Sequence, residues 1–399
     1  MDWNPREYPS SASRREFLRY LGLAGAAAAL AACAPATPEP GAAGGGGSSV
    51  AGVPGAKWQA QWEETIALAK KEGSLSVVTP TGTAMRKVMD VFQEQFPWLK
   101  VDHTPARTSD FVNKSSKEQQ GGVYSYDIAV VSMASVVKVL KPTAGVVPLK
   151  SVLFRDDVVQ DSNWIDSFEA GFWDLDKTLF YAGGIEAAPR IWVNSEFVKP
   201  DEVKGGTKDL LNPKFKGKIG MMDPRTEGAG YLSVSGARYN LGKSVADPML
   251  TELFQKQEPM IFTNDRVYTE ALVRGTQPIA ISPYDNVLQD FWEKGIGKAV
   301  VPVQTEEWVY AQDPNAPMWL VAKQPHPNAA KLFANWYLTK DTQTLISKET
   351  LGNSRRSDVP PVNPANVPVK GKRYWYSQKE ESLEFIDDTI AFMKKVVKV

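Results

Sequence analysis

An α/β fold with parallel, doubly wound sheets is predicted for this chain, on three observations. Short apolar runs alternate with stretches whose apolar residues recur at helical spacing. The segments joining each run to the next helix are rich in Gly, Pro, Thr and Ser, as strand-to-helix loops require. At 399 residues, with 43% hydrophobic and 23% charged residues, the chain has the composition of a globular protein able to bury a sizeable core. Its length suits two to three domains at about 150 residues each.

In chain order, Ser13-Arg14-Arg15-Glu16-Phe17-Leu18-Arg19 precedes an Ala/Leu/Gly-rich stretch from Tyr20 to Ala32. This is a twin-arginine export pattern with an apolar core too short for a permanent span. It closes on Leu30-Ala31-Ala32-Cys33, which resembles a bacterial lipobox. The expectation is a signal over residues 1–32, a lipidated Cys33 and a flexible Pro/Ala/Gly/Ser-rich tether over 33–56. That plan places the globule on the outer face of the cytoplasmic membrane. The plainer alternative is an export signal carrying an incidental cysteine. Cys33 is the single cysteine, so disulfides, thiolate metal sites and cysteine nucleophiles drop out. Without residues 1–32 the chain carries 42 basic and 43 acidic side chains, which gives no footprint for nucleic acid. No later apolar run reaches the roughly 18 residues of a membrane span.

Trp58, Trp62, Ile66 and Ala69 recur at helical spacing up to Gly73. Leu75 to Val78 reads as a buried strand, Thr79 to Thr83 as its loop, and Met85, Val88, Met89, Phe92 and Phe96 as the inner face of the next helix. The cycle repeats with a strand at Leu99–His103, a loop at Thr104–Ser109 and a helix from Asp110 to Gln120. A third strand at Tyr126–Val131 leads to Ser132, which opens another helix. These loops bring Thr79, Thr81, Gly82, Thr83, Arg107, Thr108 and Ser132 to one sheet edge as candidate ligand contacts. Hydroxyls there also serve as helix caps, and a lone Arg is commonly a solvated charge; the pair that follows Arg107 suits an anion.

Ile191 to Asn194 is a further strand. Asp209 to Gly217 is a polar connection, and Ile219 to Met222 is a buried strand. Asp223 to Gly230 is then a loop opening a helix near Ala229, with Thr226 as its cap. Arg225, Thr226, Glu227 and Gly228 form one wall of a small-molecule cleft, since open α/β sheets bind ligands at such strand ends. Helices through Gly236–Asn240 and near Pro248–Gln255 follow. Next come a strand at Met260–Thr263, a helix opened by Asn264-Asp265-Arg266, a strand at Pro278–Ser282, and a loop with Tyr284. Trp308–Tyr310 and Met318–Val321 read as returning strands. His326 starts a helix with Pro327 in its first turn, Asp341 to Thr350 adds another, and Ser377 to Val396 reads as a long amphipathic helix. Nothing in this tail suggests chemistry.

The segment Asp209-Leu-Leu-Asn-Pro-Lys-Phe-Lys-Gly-Lys-Ile-Gly-Met-Met-Asp223-Pro224 resembles one found in solute-binding proteins of ABC importers, in the group holding the ferric-ion binders and their thiamine, phosphonate and polyamine relatives. The likeness runs from about Trp58 to about Val359. It implies a two-lobed type II periplasmic-binding-protein fold with a hinge. Lobe 1 would hold residues 57–190 and 306–345, lobe 2 residues 191–305, and residues 346–399 would pack across both. It further implies hinge closure on a small ligand, delivery to an ABC permease, a monomer, no cofactor and no enzymatic activity. In similar ferric binders, the loops matching Arg225–Gly228 and Asn264 hold an anion, and the loop at Tyr284 supplies two tyrosines to iron. Here that loop has one tyrosine, and Thr79–Thr83 has no histidine. The features kept are those of an anion site, Arg107, Arg225, Thr226, Asn264 and Arg266, so a small anionic solute closed over by Tyr284 is expected, with no resident metal. Ferric ion, a polyamine or thiamine remain alternatives, as does a ligand-sensing lipoprotein. An exported hydrolase is disfavoured: His103 and His326 are the only histidines, and no Gly-x-Ser-x-Gly elbow occurs.

Overall fold

Two five-stranded sheets and a two-stranded ribbon organise the chain in a computed structural model. The structure describes residues 56–226, 228–283 and 285–397; the expected signal, Cys33 and the linker, together with Glu227 and Tyr284, lie outside the described residues. The first sheet takes β1 (Ser74–Thr79), β2 (Lys100–Pro105), β3 (Ile128–Val130) and β4 (Val146–Val147) from the first part of the chain. Its fifth strand, β12 (Met318–Val321), comes from far along the sequence, and the order is β2-β1-β3-β12-β4. The second sheet uses β6 (Ile191–Asn194), β7 (Ile219–Met222), β8 (Met260–Phe262), β9 (Ile279–Ile281) and β10 (Val300–Val303), in the order β10-β6-β9-β7-β8.

Read from the opposite edge, the second sheet repeats the first. Each has three parallel strands, and next to them one antiparallel strand that has just crossed from elsewhere, β12 or β6. The sheets are therefore mixed rather than wholly parallel. The crossings themselves, β5 (Glu186–Pro189) and β11 (Val309–Gln312), pair with each other as an antiparallel ribbon. So the expected returning strand at Trp308–Tyr310 is observed as Val309–Gln312 and joins neither large sheet; β12 makes the return.

Burial on both faces explains why the strands read as continuous apolar runs. Leu75, Val77, Ile128, Val130, Met318 and Leu320 face one core of the first sheet, while Val78, Ala129, Trp319 and Val321 face another. Ile219, Met221, Ile279 and Ile281 do the same on one side of the second sheet, opposite Ala280 and Trp192. This is the strand period of two, doubled by helices on each side.

The helices are α1 (Ala56–Glu72), α2 (Ala84–Gln95), α3 (Thr108–Gln120), α4 (Ala134–Val139), the single turns α5 (Asp156–Val159) and α6 (Thr207–Leu210), then α7 (Ala229–Leu241), α8 (Lys243–Gln257), α9 (Asp265–Val273), α10 (Asp285–Glu293), α11 (Pro327–Tyr337), α12 (Lys340–Thr350) and α13 (Leu383–Val396). None of the described helices is long and apolar enough to cross a membrane. α8 begins five residues before Pro248, earlier than the sequence reading has it. Proline removes one N–H, and the carbonyl it orphans belongs to exposed Ser244, where water serves. His326 is the N-cap residue of α11; its Nδ1 lies 2.9 Å from Asp127 Oδ2, and its backbone N–H donates to Asp127 Oδ1 at 2.7 Å.

The tail departs most from its reading. Ser354 and Arg356 bridge to Gly184 and Trp164, and Tyr376 lies parallel to Ala311 of β11. Those pairings keep residues up to Ser382 out of the last helix, so α13 starts at Leu383. α13 sends Met393 into the core of the second sheet, while Leu383 and Ile386 pack with Ala134 of α4 and Tyr231 of α7. Two adjacent carboxylates fix it: Asp387 to Lys138 of α4, and Asp388 to Arg238 of α7 and Lys243 of α8.

Asp313, just after the ribbon, is buried at 2% exposure. Its Oδ2 accepts the Gly184 N–H at 3.0 Å and its Oδ1 the Asn315 N–H at 2.8 Å. Burial pushes its carboxyl up to about 7, against these donors. The folded chain then binds this proton more tightly than the unfolded chain, so the contribution to stability is present at low pH and declines as pH rises from about 4 to about 7. Melting curves of wild type and Asp313→Asn across that range should show wild type losing stability relative to the variant; parallel curves would refute the assignment.

Candidate ligand-binding site

Strand order decides where loops can meet. From β1 the chain runs through α2 to β2 on one side, then through α3 to β3 on the other. The carboxyl ends of β1 and β3 therefore flank a topological switch point, where open α/β sheets form a crevice. β7, β8 and β9 repeat the arrangement. Residues 80–83 and 131–133 rim the first switch point, and residues 223–226, 228 and 282–283 the second. Arg107 and Thr108 follow β2, and Asn264 and Arg266 follow β8, each one strand farther along the same edge.

The candidate side chains differ sharply in what they already do. Thr79 is fully buried, and its hydroxyl lies 2.7 Å from His103 Nε2. Burial and then the charge of Arg86 hold the imidazole below its ordinary pKa, favouring the neutral ring. Thr79 is thus spent inside the sheet, which corrects its reading as a ligand contact. Thr81, Gly82 and Thr83 are exposed, and Gly82 adopts φ 126 with open space around its Cα. Thr83 is the N-cap residue of α2, but its side chain makes no cap hydrogen bond. Ser132 and Thr108 are half-buried.

Three arginines were expected to serve an anion, and their surroundings separate them. Arg225 folds back on Asp223, with Nε and Nη2 each 2.9 Å from a carboxylate oxygen. Hydrogen bonding from Arg225 holds the Asp223 carboxyl below its usual range. Arg266 lies 3.6 Å from Glu270 and 5.4 Å from the Phe291 ring centroid. Arg107 is exposed at the N-cap of α3, and its guanidinium has no ion-pair or hydrogen-bond partner among the described residues. It alone of the three has its charge uncommitted.

Asn264 caps α9, accepting the Val267 N–H at 3.0 Å, so its side-chain oxygen is occupied. Thr226 is exposed and is not the cap of α7; that position belongs to Gly228, at φ 153 and ψ −167. Only glycine adopts that backbone readily. Two features beside the site escaped the sequence reading. Ser282 follows β9 at φ 55 while only 3% exposed, a left-handed conformation that nothing in a serine announces. The Tyr268 hydroxyl of α9 reaches the carbonyls of Gly220 and Ile281 at 2.9 and 2.8 Å, pinning the helix beneath β7 and β9. Among the described residues no cluster of three or more His, Cys, Asp or Glu side chains is placed to hold a metal ion.

Gly230 sets how closely α7 approaches β7. A Cβ there would lie 2.1 Å from the Met222 carbonyl oxygen and 2.8 Å from its carbon. Backbone cannot step aside cheaply, so Gly230→Ala should displace the 223–228 loop and cost about 1–3 kcal/mol. Denaturant unfolding measures the loss; an unchanged midpoint with unchanged ligand affinity would refute the close approach.

With this geometry established, the relatives fall into place. Residues 158–349 match the bacterial extracellular solute-binding protein family. No curated protein matches the chain in sequence. Among solved structures, a ferric binding protein from Campylobacter jejuni superposes with a TM-score of 0.62 at 17% identity, covering 81% of this chain and 99% of its own. Iron-bound HitA from Pseudomonas aeruginosa gives 0.59 at 13% identity, covering 82% and 99%. The Trichodesmium protein IdiA (FutA), in complex with iron and citrate, gives 0.59 at 16% identity, covering 81% and 99%. At such identities the likeness is one of fold. Proteins of this family bind small ligands outside the cytoplasm and work with ABC permeases. The present chain thus has the two-lobed α/β fold of the periplasmic binding proteins, and its residues 158–349 match the bacterial extracellular solute-binding domain.

Proposed function

We propose that this protein captures a small anionic solute between its two lobes and hands it to an ABC permease. The lobes are taken as residues 57–190 with 306–345, and 191–305. The observation that carries the reading is the repeated strand order, which builds two switch-point crevices in one chain and joins them by a two-stranded ribbon. A ligand held from both sheets gains contacts available only when they close, and those contacts drive closure. Arg107 gives the site its sign: an uncommitted guanidinium at the start of α3, beside Thr108 and the orphan N–H groups of the first turn. Thr81, Thr83 and Ser132 add hydroxyls from the same edge, with Gly82 admitting close backbone approach. Arg225, already neutralised by Asp223, shapes its loop more than it attracts charge. Gly228 belongs to the facing wall, and Arg266 and Asn264 to its rim. Glu227 and Tyr284 complete that wall in this reading.

Export by the twin-arginine route and a lipid on Cys33 would hold the monomeric globule at the outer face of the cytoplasmic membrane. More than one acyl chain is needed for firm anchoring, at about 0.8 kcal/mol per buried CH₂. A second reading is ferric ion carried together with an anion, favoured by the iron in the structures of the relatives above. A single tyrosine at 284 supplies fewer anionic oxygens than a hard ferric ion prefers.

Mass spectrometry of the solute that co-purifies with the exported protein tests both readings, followed by calorimetry with organophosphates, carboxylates, ferric citrate and polyamines. The expected solute is an anion. Arg107→Ala should weaken it by about tenfold or more, the worth of a charge-assisted hydrogen bond, with a smaller loss for Arg225→Ala. Tight polyamine binding with no response to anions would overturn the proposal.

A further inference from the structure

The tail, silent in sequence, lines a second hollow on the ribbon side of the first sheet. This cavity of about 50 Å³ is bounded by Trp173, Ile185, Arg355, Tyr376 and Lys379, with Asp166 among its lining residues. Tyr376 is tied to the ribbon through Ala311, so the hollow lies apart from the switch-point loops.

Its charges are unbalanced. Arg355 is 2% exposed, and its guanidinium donates to the carbonyls of Ile165 at 2.7 Å and Ser167 at 2.8 Å. No carboxylate lies within ion-pair distance of it among the described residues. The backbone bends to supply those carbonyls, with Asp166 at φ 67. Carbonyl dipoles satisfy the N–H groups of a buried cation without cancelling its charge. Lys379 is in a similar state. Its Nζ lies 4.2 Å from the Tyr376 ring centroid, and the nearest carboxylate, Glu381, is 4.0 Å away and largely exposed. Burial holds its pKa below the ordinary lysine value, and the charges of Lys177 and Arg355 push the same way. Glu381 and Asp166 oppose this from the exposed edge; two carboxylates against Arg355, Lys177 and Lys379 itself leave one positive charge in surplus. The Tyr376 hydroxyl has no hydrogen bond to another described residue. Trp173 and Ile185, 3% and 4% exposed, make the remaining wall apolar.

We propose that this hollow is a second ligand site, taking a small monocarboxylate of a few heavy atoms. The carboxylate would sit on the Lys379 ammonium and the Tyr376 hydroxyl, with Arg355 adding charge behind them, and the short apolar end would rest on Trp173 and Ile185. The volume admits an occupant of that size and nothing as large as a sugar or nucleotide. A bound carboxylate also favours the protonated form of Lys379, so occupancy rises as pH falls toward neutrality.

Acetate labelled with ¹³C at its methyl group, titrated into the full chain and followed by saturation-transfer NMR, tests the site. Saturable binding is expected, with transfer from the Trp173 indole to the acetate methyl. Lys379→Met should weaken it by about tenfold or more, and Tyr376→Phe by a smaller factor. Lys256→Met, at an exposed lysine of α8 paired with Glu252, should leave it unchanged. Melting curves in acetate-free buffer establish that each variant is folded, and the Tyr376→Phe result stands if Lys379→Met is not. Non-saturable binding, binding indifferent to both variants, or preference for methylammonium over acetate would each overturn the proposal.

Discussion

Pairing between the two chain crossings is the constraint on which the rest of the molecule depends. Glu186–Pro189 and Val309–Gln312 are far apart in sequence, yet they run antiparallel and share a ladder. Around that ladder the polar groups are provided for. Gln312 donates to Glu186 at 2.8 Å, and Arg190 lies 4.0 Å from the Tyr310 ring centroid between the ribbon and β6. Separate connections would leave each sheet free to swing; a shared ribbon confines bending to the short segments where it meets β6, β10 and β12.

The same economy governs the charges at the strand ends. Most cations there are spoken for by a neighbour two or four residues away, as Arg225 is by Asp223 and Arg266 by Glu270. Such pairs keep a loop in shape and add little attraction for a guest. Groups left without internal work are fewer than a count of polar residues suggests. Arg107 and the hydroxyls of Thr81 and Thr83 belong to this set, and Thr79, buried against His103, does not.

The parts legible in sequence were those where one physical rule acts alone. Ile219–Met222 is buried on both faces and bounded by turn residues, so its limits can be read from composition. β10 could not be, because Pro302 argues against a strand; it survives at a sheet edge, where one missing N–H is tolerated. β4 is two residues long and has no pattern to detect. The start of α13 was misplaced because Ser377 bonds across to Ala311, a contact that helical periodicity does not encode. For the site, the loops were visible because the βα order dictates them. The roles of individual side chains were not, since a hydroxyl or guanidinium reads alike whether it caps, pairs or waits.

One detail of the tail has a practical side. Asp387 and Asp388 are neighbours on a single turn of α13, yet one grips Lys138 of α4 and the other grips Arg238 of α7 and Lys243 of α8. Any movement of α4 relative to α7 and α8 must stretch one of these grips against the other. The helix therefore ties these elements together, and a fluorophore on its outward side would report such a movement. That makes this terminus the natural place to attach a reporter, and a poor place to trim.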